Sequence, residues 1–251
     1  MAEPMLRIAT QEPGVPEIFR SVQGEGRSMG RIRTFVRLSG CNLHCGWCDT
    51  PYTWNWAGTK WTHEQGDKYD QSAETIEMAI DAVAAGVAAL PAEGIVITGG
   101  EPLIQQDMLV PLIDRMKQDQ PDLLVEVETN GTIAPSPGMI ERVDLFMVSP
   151  KLAHSGNKPA LALRPKALEA FAGLDSAWFK FVVRTIADLD EIRDIAARFG
   201  IRRERIYVMP EGTRSDVLMR RGADLIDAVL DAGFAWSDRL HIHLFGDTRG
   251  T

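Results

Sequence analysis

Apolar residues fall along this chain in two alternating rhythms, short runs rich in Val, Ile, Leu and Phe and longer stretches where they recur every three or four positions. The runs predict strands at Ile32–Leu38, Ile95–Ile97, Leu123–Val127, Leu145–Val148, Trp178–Val183, Arg205–Val208 and Leu240–Leu244. Strands of this kind are covered by helices, so the alternation from residue 32 onward predicts βα units around a parallel sheet. In the last of them, His241 and His243 alternate with apolar neighbours and should share one face.

The helical rhythm predicts a helix capped by Ser72, with Ile76, Ile80, Val83 and Val87 on its buried face and Pro91 as its stop. Ser215 should cap another, in which Leu218, Leu225, Ile226, Val229 and Leu230 form the buried stripe and Gly233 ends the helix. Further helices are expected over Gln105–Gln118 and Ala187–Phe199. Between Tyr52 and Asp70 the pattern lapses, and Trp54, Trp56 and Trp61 stand among polar residues, which reads as a long excursion.

Composition narrows the class. With 251 residues, 45% hydrophobic and 25% charged, the chain is globular, and its length fits a single α/β domain over residues 1–251. A net charge of -8 gives no broad cationic surface for nucleic acid and favours a small-molecule substrate. Met1-Ala2-Glu3-Pro4 has no basic segment leading into an apolar one, and the longest uncharged stretch, Ala82 to Pro91, is far short of the ~18 residues that span a bilayer. No membrane association is expected, and the cytoplasm is the expected compartment.

Candidate chemistry concentrates in Cys41-Asn-Leu-His-Cys45-Gly-Trp-Cys48, which holds all three cysteines. Their spacing is too tight for disulfide stapling, and an odd count strands one thiol. Thiolates at a three-then-two gap can wrap three corners of a cubic iron–sulfur cluster and leave one iron open to a substrate or cofactor. On ligand count alone Cys41, His44, Cys45 and Cys48 also suit zinc, although structural zinc sites usually draw ligand pairs from two separated segments.

Four more polar clusters follow predicted strands: Thr98-Gly99-Gly100-Glu101-Pro102, Glu128-Thr129-Asn130-Gly131-Thr132, Ser149-Pro150-Lys151 and Met209-Pro210-Glu211-Gly212. Each alone is ordinary turn chemistry. In an α/β barrel, however, the carboxyl ends of strands form the active-site face, so these clusters and the cysteine loop should meet at one mouth. Adjacent glycines let backbone approach a ligand, and Glu101 can receive an ammonium group. Thr50 carries a hard oxygen, as does its rival Asp49, and only a family pattern could mark either as a ligand of Mg²⁺.

The cysteine loop resembles that of the radical S-adenosylmethionine superfamily. Ile18-Phe-Arg-Ser-Val-Gln-Gly-Glu-Gly26, Phe35-Val-Arg-Leu-Ser-Gly-Cys41, Cys48-Asp-Thr-Pro-Tyr-Thr-Trp54 and Leu244-Phe-Gly-Asp-Thr-Arg-Gly250 resemble the 7-carboxy-7-deazaguanine synthase family, over nearly the whole chain. The cluster spacing is the compact superfamily form, without the long insertion some members carry. The resemblance implies a partial, open βα barrel. It also implies a homodimeric, Mg²⁺-dependent lyase that converts 6-carboxy-5,6,7,8-tetrahydropterin to 7-carboxy-7-deazaguanine with loss of ammonia, in queuosine and 7-deazapurine biosynthesis, fed by a reduced flavodoxin or ferredoxin-like donor.

By the same resemblance Cys41, Cys45 and Cys48 hold a 4Fe-4S cluster and Thr50 holds Mg²⁺. Gly100, Glu101, Glu128, Asn130, Ser149, Pro150, Lys151 and the segment Met209, Pro210, Glu211, Gly212 serve S-adenosylmethionine. Val22, Gln23, Gly24, Glu25, Arg37, Thr98 and the terminal carboxylate of Thr251 serve the pterin. Amide, backbone and carboxylate groups at Gln23, Gly24 and Glu25 suit the donor-rich edge of an aminopyrimidinone, and Arg37 suits its carboxylate. Three other readings stay open: an activase that installs a glycyl radical on a partner, a non-catalytic zinc or iron–sulfur module, and a tRNA-binding protein, which the acidic balance opposes.

Overall fold

The structure, a computed structural model, describes residues 5–251; the reading made at Met1-Ala2-Glu3-Pro4 lies outside the described residues. The chain opens with three strands, β1 (Met5–Glu12), β2 (Val15–Pro16) and β3 (Ile18–Val22), before β4 (Ile32–Leu38). After the cysteine loop and the excursion come α1 (Gln71–Glu74), β5 (Thr75–Ala79) and α2 (Ile80–Ala88). Then strands and helices alternate: β6 (Gly94–Gly99), α3 (Gln106–Asp119), β7 (Leu124–Thr129), α4 (Pro137–Arg142), β8 (Leu145–Val148), α5 (Pro159–Ala162), α6 (Pro165–Ala172), β9 (Ala177–Val183), α7 (Asp188–Phe199) and β10 (Ile206–Pro210). Helix α8 (Ser215–Ala232), β11 (Ala235–Trp236) and α9 (Leu240–Phe245) complete the chain.

Strands β4, β6, β7, β8, β9 and β10 lie side by side in that order, each parallel to the next. The sheet ends at β11 on one side and continues through antiparallel β1 and β2 on the other, so it curves as an open barrel. Side-chain alternation divides the strands into two rows. Val36, Ile97, Val127, Val148, Phe181 and Val208 face outward and join Leu109, Leu112, Ile195 and Val229 of the covering helices in one buried core. The intervening residues face the barrel interior, where Phe19, Phe35 and Val96 form a small apolar floor.

Three expectations are corrected. The helix read from Ser72 to Val87 is split: Asp70 caps α1 through a hydrogen bond from the Ser72 amide, and α2 begins only at Ile80. Between them Thr75–Ala79 runs antiparallel to β1, with Ile76 opposite Ile8. Cross-strand pairing with an edge the periodicity had not revealed overrides local helical spacing. Arg214 rather than Ser215 occupies the cap of α8, where no side chain caps the helix, and Leu230 of its predicted buried stripe is 67% exposed.

Leu240–Leu244 is likewise not a strand but the helix α9, closed by Gly246 at a positive φ. Its five-residue alternation is too short to separate strand from helix. At ~100° per residue, positions two apart on a helix lie on nearly opposite sides. Accordingly His241 lines the central cavity while His243 turns to Ser215 of α8 and Asp238, at 2.7 and 3.2 Å. Among the described residues no helix is long and apolar enough to cross a membrane.

Candidate active site

The carboxyl ends of the parallel strands open on a cavity of about 330 Å³. Neighbouring inward positions on the strands supply its wall, mostly polar: Arg37 on β4 sits beside Thr98 on β6, and Glu128 on β7 beside the apolar Met147 on β8. Thr98 donates to Glu128 at 2.8 Å. Glycine permits the approach of loops from above. A Cβ on Gly100 would lie 2.2 Å from the Gly40 carbonyl, so only glycine lets the loop after β6 run against the start of the cysteine loop.

Cys41, Cys45 and Cys48 all line this cavity, and each sulfur has a donor near it. The Leu43 amide lies 3.4 Å from Cys41, the Asn157 side-chain amide 3.2 Å from Cys45 and the Thr50 hydroxyl 3.7 Å from Cys48. Burial raises all three thiols, Cys48 to about 11. Thiolates in such surroundings persist only when a metal compensates their charge, and three thiolates with no fourth fit a cluster that keeps one iron open. His44 is spent elsewhere, its ring stacked on Trp61 at 3.7 Å.

At the base of the cavity a charged network surrounds Glu25. Lys180 and Arg239 both bind its carboxylate, Arg239 through Nε at 3.0 Å. Burial alone would raise Glu25, but these two cations, with His241, hold it well below the usual carboxylate range. Arg239 also donates to the Gly212 carbonyl at 2.7 Å and to Asp49, tying the β10 loop and the cysteine loop to the segment after β3. Gln23 is engaged at both ends of its amide, donating to Glu128 at 3.2 Å and Glu126 at 3.4 Å while accepting from the Glu25 amide at 3.1 Å.

Arg37 is aimed by a buried partner. Its Nε donates to Glu17 at 2.8 Å, and Tyr52 donates to the other oxygen of that carboxylate at the same distance. The two terminal guanidinium nitrogens have no hydrogen-bond partner among the described residues, and Arg37 lines the cavity. A planar fork held by its third nitrogen suits bidentate binding of a carboxylate.

Of the residues singled out in the sequence, the cavity gathers Val22, Gln23, Gly24, Glu25, Arg37, Thr50, Thr98, Gly100, Glu128, Asn130, Ser149, Lys151, Met209 and Thr251 with the cysteines. Pro150, Pro210, Glu211 and Gly212 are not among its lining residues, and Glu211 pairs with Arg184 and Arg221. Glu101 does not line the cavity either: both its carboxylate oxygens are engaged by the protein, accepting from Leu103, Thr129 and Asn130 at 2.7–3.0 Å, fully buried. Lys180, Arg239, Glu17 and Glu126 were missed. A lysine in the apolar strand Trp178–Val183 and two glutamates alternating in β7 were the available signals, since each breaks an apolar run on its inward face.

A family model described as a 4Fe-4S single cluster domain matches residues 22–169. The chain is also 36% identical to the 7-carboxy-7-deazaguanine synthase of Pyrobaculum aerophilum, over 96% of this chain and 99% of that one. The chain belongs to the 7-carboxy-7-deazaguanine synthase family. A second member of that family, from Hyperthermus butylicus, is 32% identical over 91% of each chain. The crystal structure of QueE from Escherichia coli superposes with a TM-score of 0.65 at 24% identity, covering 94% of this chain and 95% of that one, and agrees in fold with the open barrel.

Proposed function

We propose that this 7-carboxy-7-deazaguanine synthase family member converts 6-carboxy-5,6,7,8-tetrahydropterin to 7-carboxy-7-deazaguanine with release of ammonia, as a radical S-adenosylmethionine lyase of queuosine and 7-deazapurine biosynthesis. The observation that carries this reading is the opening of three cysteines and a half-free Arg37 onto one cavity. Cys41, Cys45 and Cys48 would hold the 4Fe-4S cluster, and Gly100, Asn130, Ser149, Lys151 and Met209 the adenosylmethionine. When bound, these two groups supply the radical chemistry of the ring contraction.

The chain's own contribution is placement. Arg37 would fix the pterin carboxylate, and the backbone at Val22–Gly24 with Thr98 would present hydrogen-bonding groups to the ring, while Glu128, beside Thr98, would lie near the adenosylmethionine ribose. The Glu25–Lys180–Arg239 network holds these segments together, since its charges are mutually satisfied and leave the ligand-facing atoms in fixed positions. Thr50 is the hydroxyl we assign to Mg²⁺, next to an Asp49 already bound to Arg239. The segment that reaches Thr251 lines the same cavity and would meet the substrate there. In this reading the chain acts as one domain over residues 1–251, as a cytoplasmic homodimer that takes electrons from a reduced flavodoxin or ferredoxin-like protein.

The test incubates anaerobically reconstituted enzyme with reductant, adenosylmethionine, Mg²⁺ and 6-carboxytetrahydropterin and looks by mass for 7-carboxy-7-deazaguanine. Product that depends on all four supports the assignment. Adenosylmethionine cleavage with no deazapurine would overturn it.

A further inference from the structure

The loop between β8 and α5 is built as a pedestal for the cysteine loop. The Gly46 amide donates to the Ser155 carbonyl at 3.0 Å, and the His44 amide donates to Asn157 Oδ1 at 2.9 Å. Gly156, at φ +78°, turns the chain between these two contacts. Asn157 then directs its Nδ2 at Cys45 Sγ, 3.2 Å away and 112 positions distant in sequence, with Ser155 Oγ also at 3.2 Å.

Among the described residues this is shorter than the hydrogen bonds that Leu43 and Asn130 give to Cys41 and than the Thr50 contact with Cys48. Its polarity is fixed by the surroundings rather than by choice of amide orientation. A flipped Asn157 would set its NH₂ against the His44 N–H and its carbonyl oxygen against the sulfur, losing both bonds.

We propose that Asn157 is a positioning residue that sets the reduction potential of the cluster through Cys45; this rests on Cys45 being a cluster ligand, as assigned above. An N–H aimed at a ligating sulfur places partial positive charge where negative charge grows as the cluster gains its electron. In a buried site that dipole is poorly screened and favours the reduced form. One electron enters, no bond breaks and no proton is needed. The cluster of this chain is therefore easier to reduce than one whose Cys45 lacks the amide.

The experiment compares wild type, Asn157→Ala and Asn157→Asp after anaerobic reconstitution, reading iron and sulfide content and the cluster's midpoint potential in a dye-mediated titration followed by electron paramagnetic resonance. The alanine variant removes the donor. The aspartate variant keeps an acceptor for the His44 amide but turns an oxygen toward the sulfur, so a pure strut would tolerate it. With clusters at wild-type content, Asn157→Ala should lower the reduced-to-oxidised ratio at a fixed potential about tenfold, equivalent to 59 mV for one electron, and Asn157→Asp by more.

Unchanged potentials in both variants would refute the proposal. So would loss of cluster from both while circular dichroism shows the fold intact, since Asn157 would then be a loading strut. Wild-type enzyme that never takes up a cluster would instead strike the assignment of Cys45 itself, which separates the two failures.

Discussion

Two residues in the barrel interior carry consequences that can be measured singly. Glu126 is buried beneath the cavity, hydrogen-bonded to Ser28 and Gln23 and within the field of Glu128, Arg33 and Lys180. Burial, reinforced by the Glu128 charge, pushes its carboxyl up from 4.5 to about 7. Between those values the folded chain binds more protons at this site than the unfolded chain, so its contribution is complete below 4.5 and is lost as pH rises through 7. Glu126→Gln should remove a slope of up to about 1.4 kcal/mol per pH unit. Denaturant titrations from about pH 5 to about pH 8 should show the variant gaining on wild type as pH rises; parallel curves would contradict it. Arg37→Lys makes the second test. A point-charge ammonium cannot reproduce the planar two-pronged fork that Arg37 keeps free while Glu17 holds its Nε, and loss of a charge-assisted pair of about 1.5–3 kcal/mol should lower kcat/KM roughly one to two orders of magnitude with iron content unchanged.

At the scale of elements, α9 shows how a short segment acquires its role from what it meets. Its first residue donates from the backbone to the Gly24 carbonyl at 2.9 Å, and His241 packs directly on Gly24. A Cβ there would lie 2.0 Å from the His241 ring and 2.9 Å from its backbone nitrogen. The ring can rotate away, but the backbone cannot, so Gly24→Ala should displace α9 from the cavity. The expected result is a large fall in kcat/KM with a loss of stability of about 1–3 kcal/mol, typical of overpacking. Steady-state kinetics alongside thermal melts check it, and wild-type kinetics would show that α9 adjusts freely. Leu240–Phe245 also marks where pattern reading ended: an alternation of five residues satisfies either period, and only packing against the segment after β3 chose the helix. Thr75–Ala79 went the other way, drawn into a strand by β1.

Across the whole molecule, the residues after α9, the segment before β3 and the excursion converge. Arg249 lies over the Tyr52 ring at 3.6 Å and donates to Glu74 at 2.6 Å, so the tail is fastened to the excursion and to α1 as it passes the cavity. Tyr52 in turn holds Glu17, which holds Arg37. The aromatic excursion is thus a wall of the site, with Tyr52 and Trp54 buried. Arg249→Ala should loosen the tail and raise KM for the pterin several-fold while leaving cluster content unchanged. Adding a bulky extension after Thr251 should do the same. Equal KM values in both variants and wild type would show that the tail does not reach the substrate.

The sequence by itself determined the six parallel strands of the frame, within a residue or two at their ends, because the outward row of each strand, covered by helices, must be apolar. It determined the cysteine loop from local spacing alone, since the three candidate ligands lie within seven positions of one another. The tertiary structure decided the rest. Glu101 and Glu25 are both glutamates beside a glycine in polar loops, yet one is buried against backbone amides and the other lies against Lys180 and Arg239, more than 150 residues away. Local pattern carries periodicity and spacing. Which charge meets which is set by strand order and loop packing, and those are properties of the folded chain.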